Sequence, residues 1–346
     1  MENFLPISSE NPWLAPLAGW SDLPFRLLCR EQGASACCTE MVSAKGLVYG
    51  GKNTHDLLQT NAADKPLIVQ IFGAEEEFMQ KAVCLLKEQN FCFYDVNVGC
   101  SVNKVVKTGA GAAMLKDLPN FYKVAKTVID EVHKDAGHKI GFKIRLGYYL
   151  GEDVYEELAL RLQDFGADWI TLHPRYAKQS FSGVPNYEAL KRLKTILEIP
   201  IIASGDLFTA RDGVKVLLET GVNAVMYARG AMGNPRIFAE HKALWQYAQE
   251  HGITAENTPA LPEYEELFPK SPEQIKTDIY ALILAHLNYA KTYSPQRAVL
   301  QMRTIVPRYV RRLENAKLVR QALIQFRSFD DLENVLKEFF AEEEML

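Results

Sequence analysis

The chain has 346 residues, of which 48% are hydrophobic, and a formal net charge of -4 at pH 7. A chain of this size can bury one large core and still leave a smaller second domain. Its first residues, MENFLPISSENPW, are acidic and polar where a signal peptide needs a basic start and an apolar core, and no apolar run has the length of a membrane span. These features predict a globular protein of the cytoplasm without membrane attachment.

The chain contains six cysteines, and no two of them form a C-x-x-C pair. No combination of cysteine and histidine has the spacing of zinc ligands. The cysteines therefore predict neither a metal site nor a disulfide framework, and they fit the reducing cytoplasm.

Eight short apolar or β-branched segments recur along the first two thirds of the chain, at 13–17, 36–39, 67–71, 94–98, 140–144, 169–172, 201–203 and 224–227. Segments with helical spacing lie between them, for example 75–88, 121–132, 155–165 and 210–219. A strand that alternates with a helix eight times predicts a parallel (β/α)8 TIM barrel. A doubly wound open sheet is less favoured, because no G-x-G-x-x-G motif follows the first strand.

The pattern changes after residue 239, where a helix-like segment runs to about 250 and a stretch rich in proline and acidic residues follows. Ser271 precedes proline and glutamate as a helix N-cap does, and helical spacing continues from there to the C-terminus. We predict a barrel domain over 1–245, a linker over 246–270 and a small all-α domain over 271–346.

The all-α domain carries a strongly basic segment. Between residues 286 and 327, Glu314 is the only acid, and the basic residues are Lys291, Arg297, Arg303, Arg308, Arg311, Arg312, Lys317, Arg320 and Arg327. A solvated helical face normally mixes both signs of charge. This distribution instead predicts a phosphate-binding surface of the kind that binds nucleic acid, and arginine suits bidentate contact with phosphate.

The C-terminal ends of barrel strands are where TIM barrels place their active sites. Small or polar residues occur at or near these ends: Pro16, Leu17, Ala18, Gln70, Asn97, Cys100, Lys143, Arg145, His173, Ser204, Gly205, Asp206, Ala228 and Arg229. The groups after the seventh and eighth strands, SGD and ARG, offer free backbone amides and a guanidinium. They predict a phosphate site and hence a phosphorylated cofactor.

Two of these residues suggest a chemistry. Lys143 lies inside an apolar strand, where an unpaired charge is costly, and either a flavin ring or a Schiff-base substrate would give it a partner. Cys100 is followed by Lys104, Lys107 and the small residues 109–113, which is the environment of a reactive cysteine. The alternative for each is structural, since buried thiols and rim lysines are common.

Ordered blocks of this sequence resemble the dihydrouridine synthases, flavoenzymes that reduce uridines in transfer RNA. The blocks are APLAGWSDLPFR, TEMVSAKGL, VQIFG, YDVNVGC, KVVKTGAGAAML, FKIRLGY, TLHPR, FSG, ASGDLF and YARGAMGNPRIF, and they cover about 12–238. The N-V-G-C block and the K-I-R pair are the most specific of them. The C-terminal helical region resembles the RNA-binding domain of the family in character more than in motif.

The resemblance implies an enzyme that uses FMN, with NADPH as reductant, to convert specific tRNA uridines to 5,6-dihydrouridine. It assigns the flavin ring and ribityl chain to Pro16, Leu17, Ala18, Gln70, Lys143 and His173, and the FMN phosphate to Ser204, Gly205, Asp206, Ala228 and Arg229. It also implies that Asn97 and Arg145 contact the uracil and that Cys100 donates a proton. The helical domain, with Arg308, Arg311 and Arg312, would bind tRNA, and a monomer is the expected state.

Three positions depart from the pattern of the family. Ser101 follows the cysteine where proline is common, Pro174 follows His173 where glycine or alanine is common, and Ser204 replaces a usual asparagine. Two other functions remain possible from the sequence: an FMN barrel reductase of a small molecule, of the dihydroorotate or ene-reductase type, and a non-catalytic RNA-binding barrel. The arginine-rich domain argues against the first of these alternatives.

Overall fold

The structure is a computed structural model that describes residues 4–341. Residues 1–3 of the predicted barrel domain and 342–346 of the predicted helical domain lie outside the described residues. The strands are β1 Trp13–Leu14, β2 Ala36–Cys38, β3 Val42–Ser43, β4 Leu67–Phe72, β5 Phe93–Asn97, β6 Lys139–Arg145, β7 Trp169–His173, β8 Ile201–Ser204 and β9 Ala224–Tyr227.

The barrel helices are α1 Leu23–Glu31, α2 Ala44–Val48, α3 Lys52–Asp56, α4 Glu76–Glu88, α5 Asn103–Val106, α6 Leu118–Val132, α7 Tyr155–Phe165, α8 Glu188–Ile196, α9 Ala210–Thr220 and α10 Ile237–Glu250. They are followed by α11 Tyr264–Leu267, α12 Pro272–Tyr293, α13 Pro295–Tyr309, α14 Ala316–Leu323 and α15 Phe329–Ala341. Short 3₁₀ helices lie at Gly111–Lys116, Thr258–Ala260 and Val310–Arg312.

The strands close into a parallel barrel, which confirms the predicted fold class. Neighbouring strands follow the order β2-β1-β9-β8-β7-β6-β5-β4-β3, and β2 also pairs with β4. Because β2 and β3 both pair with β4, they form one interrupted barrel strand, and the barrel has eight positions around its wall. Each of the eight predicted strands contributes one position, while the short β3 was not predicted.

The first strand is shorter than predicted, because β1 ends at Leu14. The N–H of Ala15 still donates to the carbonyl of Tyr227 in β9 at 2.8 Å, and the chain then leaves the sheet. The carbonyl of Leu17 then accepts hydrogen bonds from the N–H groups of Trp20 and Ser21, both at 2.9 Å, which turns the chain into α1. This early turn brings residues 16–18 to the mouth of the barrel.

Apolar side chains fill the N-terminal end of the barrel interior. Trp13 and Trp169 meet edge to face with their ring centroids 5.7 Å apart, and Phe93, Ile68 and Ile202 belong to the same buried cluster. These residues lie at or near the start of their strands. Because the strands are parallel, the inward-facing residues near the strand ends line the other end of the barrel, its C-terminal end. Because this apolar cluster fills the N-terminal end of the interior, polar side chains can line a cavity only at the C-terminal end.

The C-terminal helices pack against one side of the barrel. Ser271 is the N-cap of α12, as predicted, and it forms a capping box with Gln274. The ring of His286 in α12 stacks on Phe25 in α1 with centroids 5.5 Å apart, and Gln301 in α13 donates to Asp22 at 3.2 Å. Across residues 4–341, no helix combines the length and the apolar character that crossing a membrane requires.

A buried ion pair supports the turn that carries residues 16–18. The side chains of Arg26 and Asp64 are fully buried, and Nε and Nη2 of Arg26 donate to Asp64 Oδ2 at 3.0 and 2.8 Å. Nη1 of Arg26 donates to the carbonyl of Ser21 at 2.6 Å, and the Ser21 hydroxyl accepts from the N–H of Leu17 at 2.9 Å. The pair thus connects α1 to the wall of the site.

We predict that Asp64→Asn lowers the free energy of unfolding by about 3–5 kcal/mol, because it leaves the buried Arg26 guanidinium without its counter-charge. Urea denaturation followed by circular dichroism measures the change. The matched control is Asp130→Asn, which breaks the exposed Lys126–Asp130 pair on α6. Exposed pairs contribute little, so the control should unfold like the parent chain, and equal effects of the two substitutions would contradict the prediction.

Candidate active site

An open cavity of about 270 Å³ lies at the C-terminal end of the barrel. Every barrel residue predicted for the site lines it: Pro16, Leu17, Ala18, Gln70, Asn97, Cys100, Lys143, Arg145, His173, Ser204, Gly205, Asp206, Ala228 and Arg229. The wall also includes residues that were not predicted, namely Ala15, Met41, Gly99, Val102, Phe181, Leu207 and Phe208. Most of these are apolar loop residues, which carry no chemical signal in a single sequence.

A chain of hydrogen bonds crosses the floor of this cavity. Gln70 Nε2 donates to Asp95 Oδ2 at 2.6 Å, and Asn97 Nδ2 donates to Gln70 Oε1 at 2.7 Å. Asn97 Oδ1 then accepts from the backbone N–H groups of Gly99 and Cys100 at 3.2 and 2.9 Å. The chain therefore links a buried carboxylate on β5 to the loop that carries the thiol.

The ammonium group of Lys143 faces the cavity without a hydrogen bond or close ion pair to any residue in 4–341. Burial, together with the positive charge of Arg145, lowers the pKa of Lys143 to about 8, while Asp95 and Cys100 oppose this shift. Burial also raises the pKa of the Asp95 carboxyl above its ordinary range. A polar partner in the cavity would stabilise the charged form of this lysine.

His173 is neutral at physiological pH. Burial lowers the pKa of its imidazole far below the ordinary value, and four nearby cations act in the same direction: Lys143, Arg145, Arg175 and Arg229. The backbone of Gly205 lies against this ring, and a Cβ at that position would overlap it. Gly205 also has a φ of 108°, which favours glycine. The loop after β8 can therefore approach His173 closely.

Asp206 joins two arginines at the edge of the cavity. Its two carboxylate oxygens pair with Arg175 Nη2 at 2.5 Å and with Arg229 Nη2 at 2.7 Å. The Arg229 guanidinium lies between the rings of Phe181 and Phe208, 4.2 and 4.8 Å from their centroids. A carboxylate repels a phosphate, so the side chain of Asp206 orients Arg229, and the groups that can hold an anion here are the backbone amides, the Ser204 hydroxyl and the Arg229 guanidinium.

The Cys100 loop is fixed from both sides. The carbonyl of Cys100 accepts from the N–H of Ala112 at 2.9 Å, and the Nε of Arg145 donates to the carbonyl of Gly99 at 2.7 Å. A Cβ at Gly111 would lie 2.8 Å from the Cys100 carbonyl oxygen, so the small-residue run is needed for this approach. The sequence did not predict these contacts, because they join segments that are distant in the chain.

Two cations of β6 interact with the thiol position in addition to the lysines expected from the sequence. Lys104 and Lys107 are exposed and do not line the cavity. A negative charge on Cys100 would raise the pKa values of Lys143 and Arg145 against the effect of burial. The spacing in the sequence placed the lysines close along the chain, whereas the barrel brings β6 beside the thiol.

Arg308, Arg311 and Arg312 do not line the cavity, and they are exposed on the helical region. Arg312 borders a small pocket together with Phe208, which belongs to the cavity wall, so this surface adjoins the mouth. Among the other basic residues of the segment, Lys291 pairs with Glu333 and Arg297 pairs with Asp56. The exposed remainder is Lys317, Arg320 and Arg327.

Two further charged residues near the site were not among the predicted site residues. Asp95 is a carboxylate within an apolar strand, so the argument that singled out Lys143 also applied to it. Arg175 is buried, and its Nη2 donates to the carbonyl of Gly183 at 2.7 Å as well as to Asp206. Over the described part of the chain, no three or more His, Cys, Asp or Glu side chains are grouped as metal ligands would be.

Comparison with known proteins places this site in a family. The family model described as "Dihydrouridine synthase (Dus)" matches residues 13–344. A "Probable tRNA-dihydrouridine synthase" of Treponema pallidum (strain Nichols) is 36% identical over 247 residues, which cover 69% of this chain and 72% of the relative. One of the same description from Aquifex aeolicus (strain VF5) is 37% identical over 230 residues, covering 66% and 72%.

The similarity also extends into the helical region. A "Probable tRNA-dihydrouridine synthase 1" of Synechocystis sp. is 30% identical over 323 residues, which cover 93% of this chain and 84% of the relative. The chain therefore belongs to the dihydrouridine synthase family and is an oxidoreductase of that family.

Proposed function

We propose that this protein reduces specific uridines in tRNA to 5,6-dihydrouridine, with FMN in the mouth cavity, NADPH as reductant and Cys100 as proton donor. The observation that carries the proposal is the convergence on a single cavity of the Cys100 thiol, the Arg229 guanidinium and Lys143, which has no hydrogen bond or close ion pair within residues 4–341. We also propose that the protein acts as a monomer. Its tRNA substrate fits a cytoplasmic location.

The residues present fit a flavin. Lys143 offers the cavity a cation without a partner, and the electron-rich pyrimidine edge of a flavin is suited to pair with it. Pro16, Leu17 and Ala18 supply an apolar wall beside it, and Gln70 and the neutral His173 supply polar contacts. When bound, FMN would supply the hydride for carbon 6 of the uracil ring.

The opposite end of the cavity fits the phosphate of FMN. The loops after β8 and β9 contribute Ser204, Gly205, Ala228 and Arg229 to the lining. Backbone amides in such loops are the usual phosphate donors of a TIM barrel, and Arg229 adds a charge that Asp206 holds in place. In this proposal Asp206 contributes through its backbone and through Arg229.

The uracil would lie between the flavin and the Cys100 loop. Asn97 Nδ2 donates to Gln70 and also lies 3.0 Å from the sulfur of Met41, a weak acceptor that a uracil carbonyl can replace. Arg145 holds the backbone carbonyls of Gly99 and Tyr176 and lines the cavity with its guanidinium. The Cys100 thiol then gives its proton to carbon 5 of the ring.

The RNA would deliver its base to this mouth from outside. A uridine inside a folded RNA must leave its stack to enter the cavity, and exposed aromatic side chains can stack on unpaired bases. Phe181 and Phe208 are exposed at the rim, and Arg312 of the helical region borders a small pocket beside Phe208. This arrangement favours an RNA substrate over a small molecule.

The first test is Cys100→Ala. We expect the variant to keep its flavin and its tRNA affinity but to form dihydrouridine roughly 100- to 10,000-fold more slowly, because it lacks the proton donor. Mass spectrometry of tRNA after single-enzyme reactions gives the rate. Cys92→Ala is the matched control, since Cys92 is partly buried but does not line the cavity. Dihydrouridine formation at the parental rate in Cys100→Ala would refute the assignment.

The second test is the combined replacement of Arg308, Arg311 and Arg312 by alanine. If all three contact phosphates, tRNA affinity falls and the slope of log affinity against log salt decreases by about 2 to 3. Filter binding at several salt concentrations measures both quantities. Replacing Lys191, Lys194 and Lys215 on the outer helices α8 and α9 removes the same charge elsewhere and should leave the slope unchanged. Equal slopes for both triple variants would count against this surface.

A further inference from the structure

A buried carboxylate beneath the cavity has no role in the proposed reaction. Asp95 lies on β5 and is 1% exposed. Its Oδ2 accepts from Gln70 Nε2 at 2.6 Å, and its Oδ1 has no hydrogen-bond partner among the described atoms. Burying a carboxylate with one unpaired oxygen is costly, so its presence in the barrel floor needs an explanation.

The hydrogen bonds that start at Asp95 have a fixed direction. Burial opposes ionisation of Asp95, whereas the hydrogen bond from Gln70 and the charge of Lys143 favour the ionised form. In that form the carboxylate only accepts, so Gln70 must turn its NH₂ group toward Asp95 and its carbonyl oxygen toward Asn97. Asn97 must then turn its own NH₂ group toward Gln70. This leaves the carbonyl oxygen of Asn97 for the N–H groups of Gly99 and Cys100.

We propose that Asp95 is a positioning residue that holds the Cys100 loop in its reactive place through Gln70 and Asn97. The inference rests on the proposed role of Cys100 and adds a residue to it. Gln70 is fully buried and Asn97 is 5% exposed, so water has little access to replace any bond of the chain. The orientation of both amides therefore depends on the acceptor at position 95.

An amide at position 95 would not fix this direction. Asparagine can offer Gln70 either its oxygen or its NH₂ group. In the second orientation Gln70 and Asn97 both turn over, and the NH₂ group of Asn97 meets the N–H of Cys100 without an acceptor between them. Asp95→Asn thus allows two arrangements where the carboxylate allows one, and the Cys100 loop loses part of its restraint.

The chain also allows a compensating change. In Gln70→Glu two carboxyl groups face each other, but the group at position 70 still accepts from the NH₂ group of Asn97, so the orientation of Asn97 is kept. In the double variant Asp95→Asn/Gln70→Glu, the carboxylate lies one step further along the chain of hydrogen bonds. There it can accept both from the NH₂ group introduced at position 95 and from the NH₂ group of Asn97, so that Asn97 again offers its oxygen to Cys100. Only a directional hydrogen-bond chain predicts this rescue, because simple packing would lose more with two changes than with one.

The test is hydrogen exchange of the backbone amides of Gly99 and Cys100 in the full-length chain, measured by mass spectrometry with and without added FMN. Loss of a hydrogen bond of ordinary strength should make exchange roughly 5- to 10-fold faster in Asp95→Asn, whereas Gln70→Glu keeps the orientation of Asn97 and should exchange like the parent chain. The double variant should return to within about twofold of the parent chain on the same grounds. Thr171→Val is the control, since Thr171 is a buried barrel residue whose hydroxyl has no hydrogen-bond partner in the described structure.

Parental exchange in Asp95→Asn would overturn the proposal, and so would a double variant that exchanges as fast as Asp95→Asn. If a single variant fails to fold, native melting of the double variant supports the chain and its failure to fold refutes it. The exchange measurement does not need flavin or tRNA. A protein that binds no FMN would therefore contradict the proposed function and still leave this test decisive.

Discussion

Closure of the barrel is the constraint on which the rest of the structure depends. Eight parallel strand positions point their inward side chains into one narrow space, and the apolar cluster around Trp13 and Trp169 fills its N-terminal end. Polar side chains are therefore confined to the last residues of the strands and to the loops beyond them. Gln70, Asn97 and Lys143 share this level with loops that are far apart in the sequence.

Charge is unevenly distributed at this level, and the imbalance suits an anionic or electron-rich ligand. Arg175, Arg229 and Arg145 surround the cavity with Lys143, whereas Asp95 and Asp206 are the carboxylates that oppose them. One carboxylate orients the arginines at the rim and the other lies beneath the floor. Burial, together with this positive potential, lowers the pKa of His173 and keeps its ring neutral, and the potential would attract a phosphate-bearing cofactor.

The sequence predicted the barrel because each buried strand is a short apolar run, and because apolar residues recur with helical spacing in the segments between the strands. It predicted the lining of the cavity because polar residues at strand ends have few other uses. It did not predict β3, which is only two residues long, or the rim phenyl rings, which look like ordinary loop residues. It also did not predict the hydrogen bond from Arg145 to the carbonyl of Gly99, because proximity along the chain does not determine which charges a closed barrel brings together.

The helical region illustrates the same limit. Its basic composition was visible in the sequence, but the sequence did not show which of the basic residues form ion pairs within the protein and which remain exposed. Lys291 and Arg297 pair with acids that lie on α15 and α3, so they are less available for RNA than Arg308 and Arg311. A salt bridge to a distant segment leaves no local signal, and only the folded chain shows which arginines remain exposed beside the mouth.

The most direct test of the account is an equilibrium titration of the flavin-free chain with FMN at pH 7 and pH 9. Lys143 has a pKa lowered to about 8, so its ammonium is present at the lower pH and largely lost at the higher one, whereas the FMN phosphate keeps its charge. We expect one FMN per chain, bound roughly tenfold more tightly at pH 7, and weaker binding without this pH dependence in Lys143→Met. Absence of FMN binding at both pH values, or the same pH dependence in Lys143→Met, would contradict it.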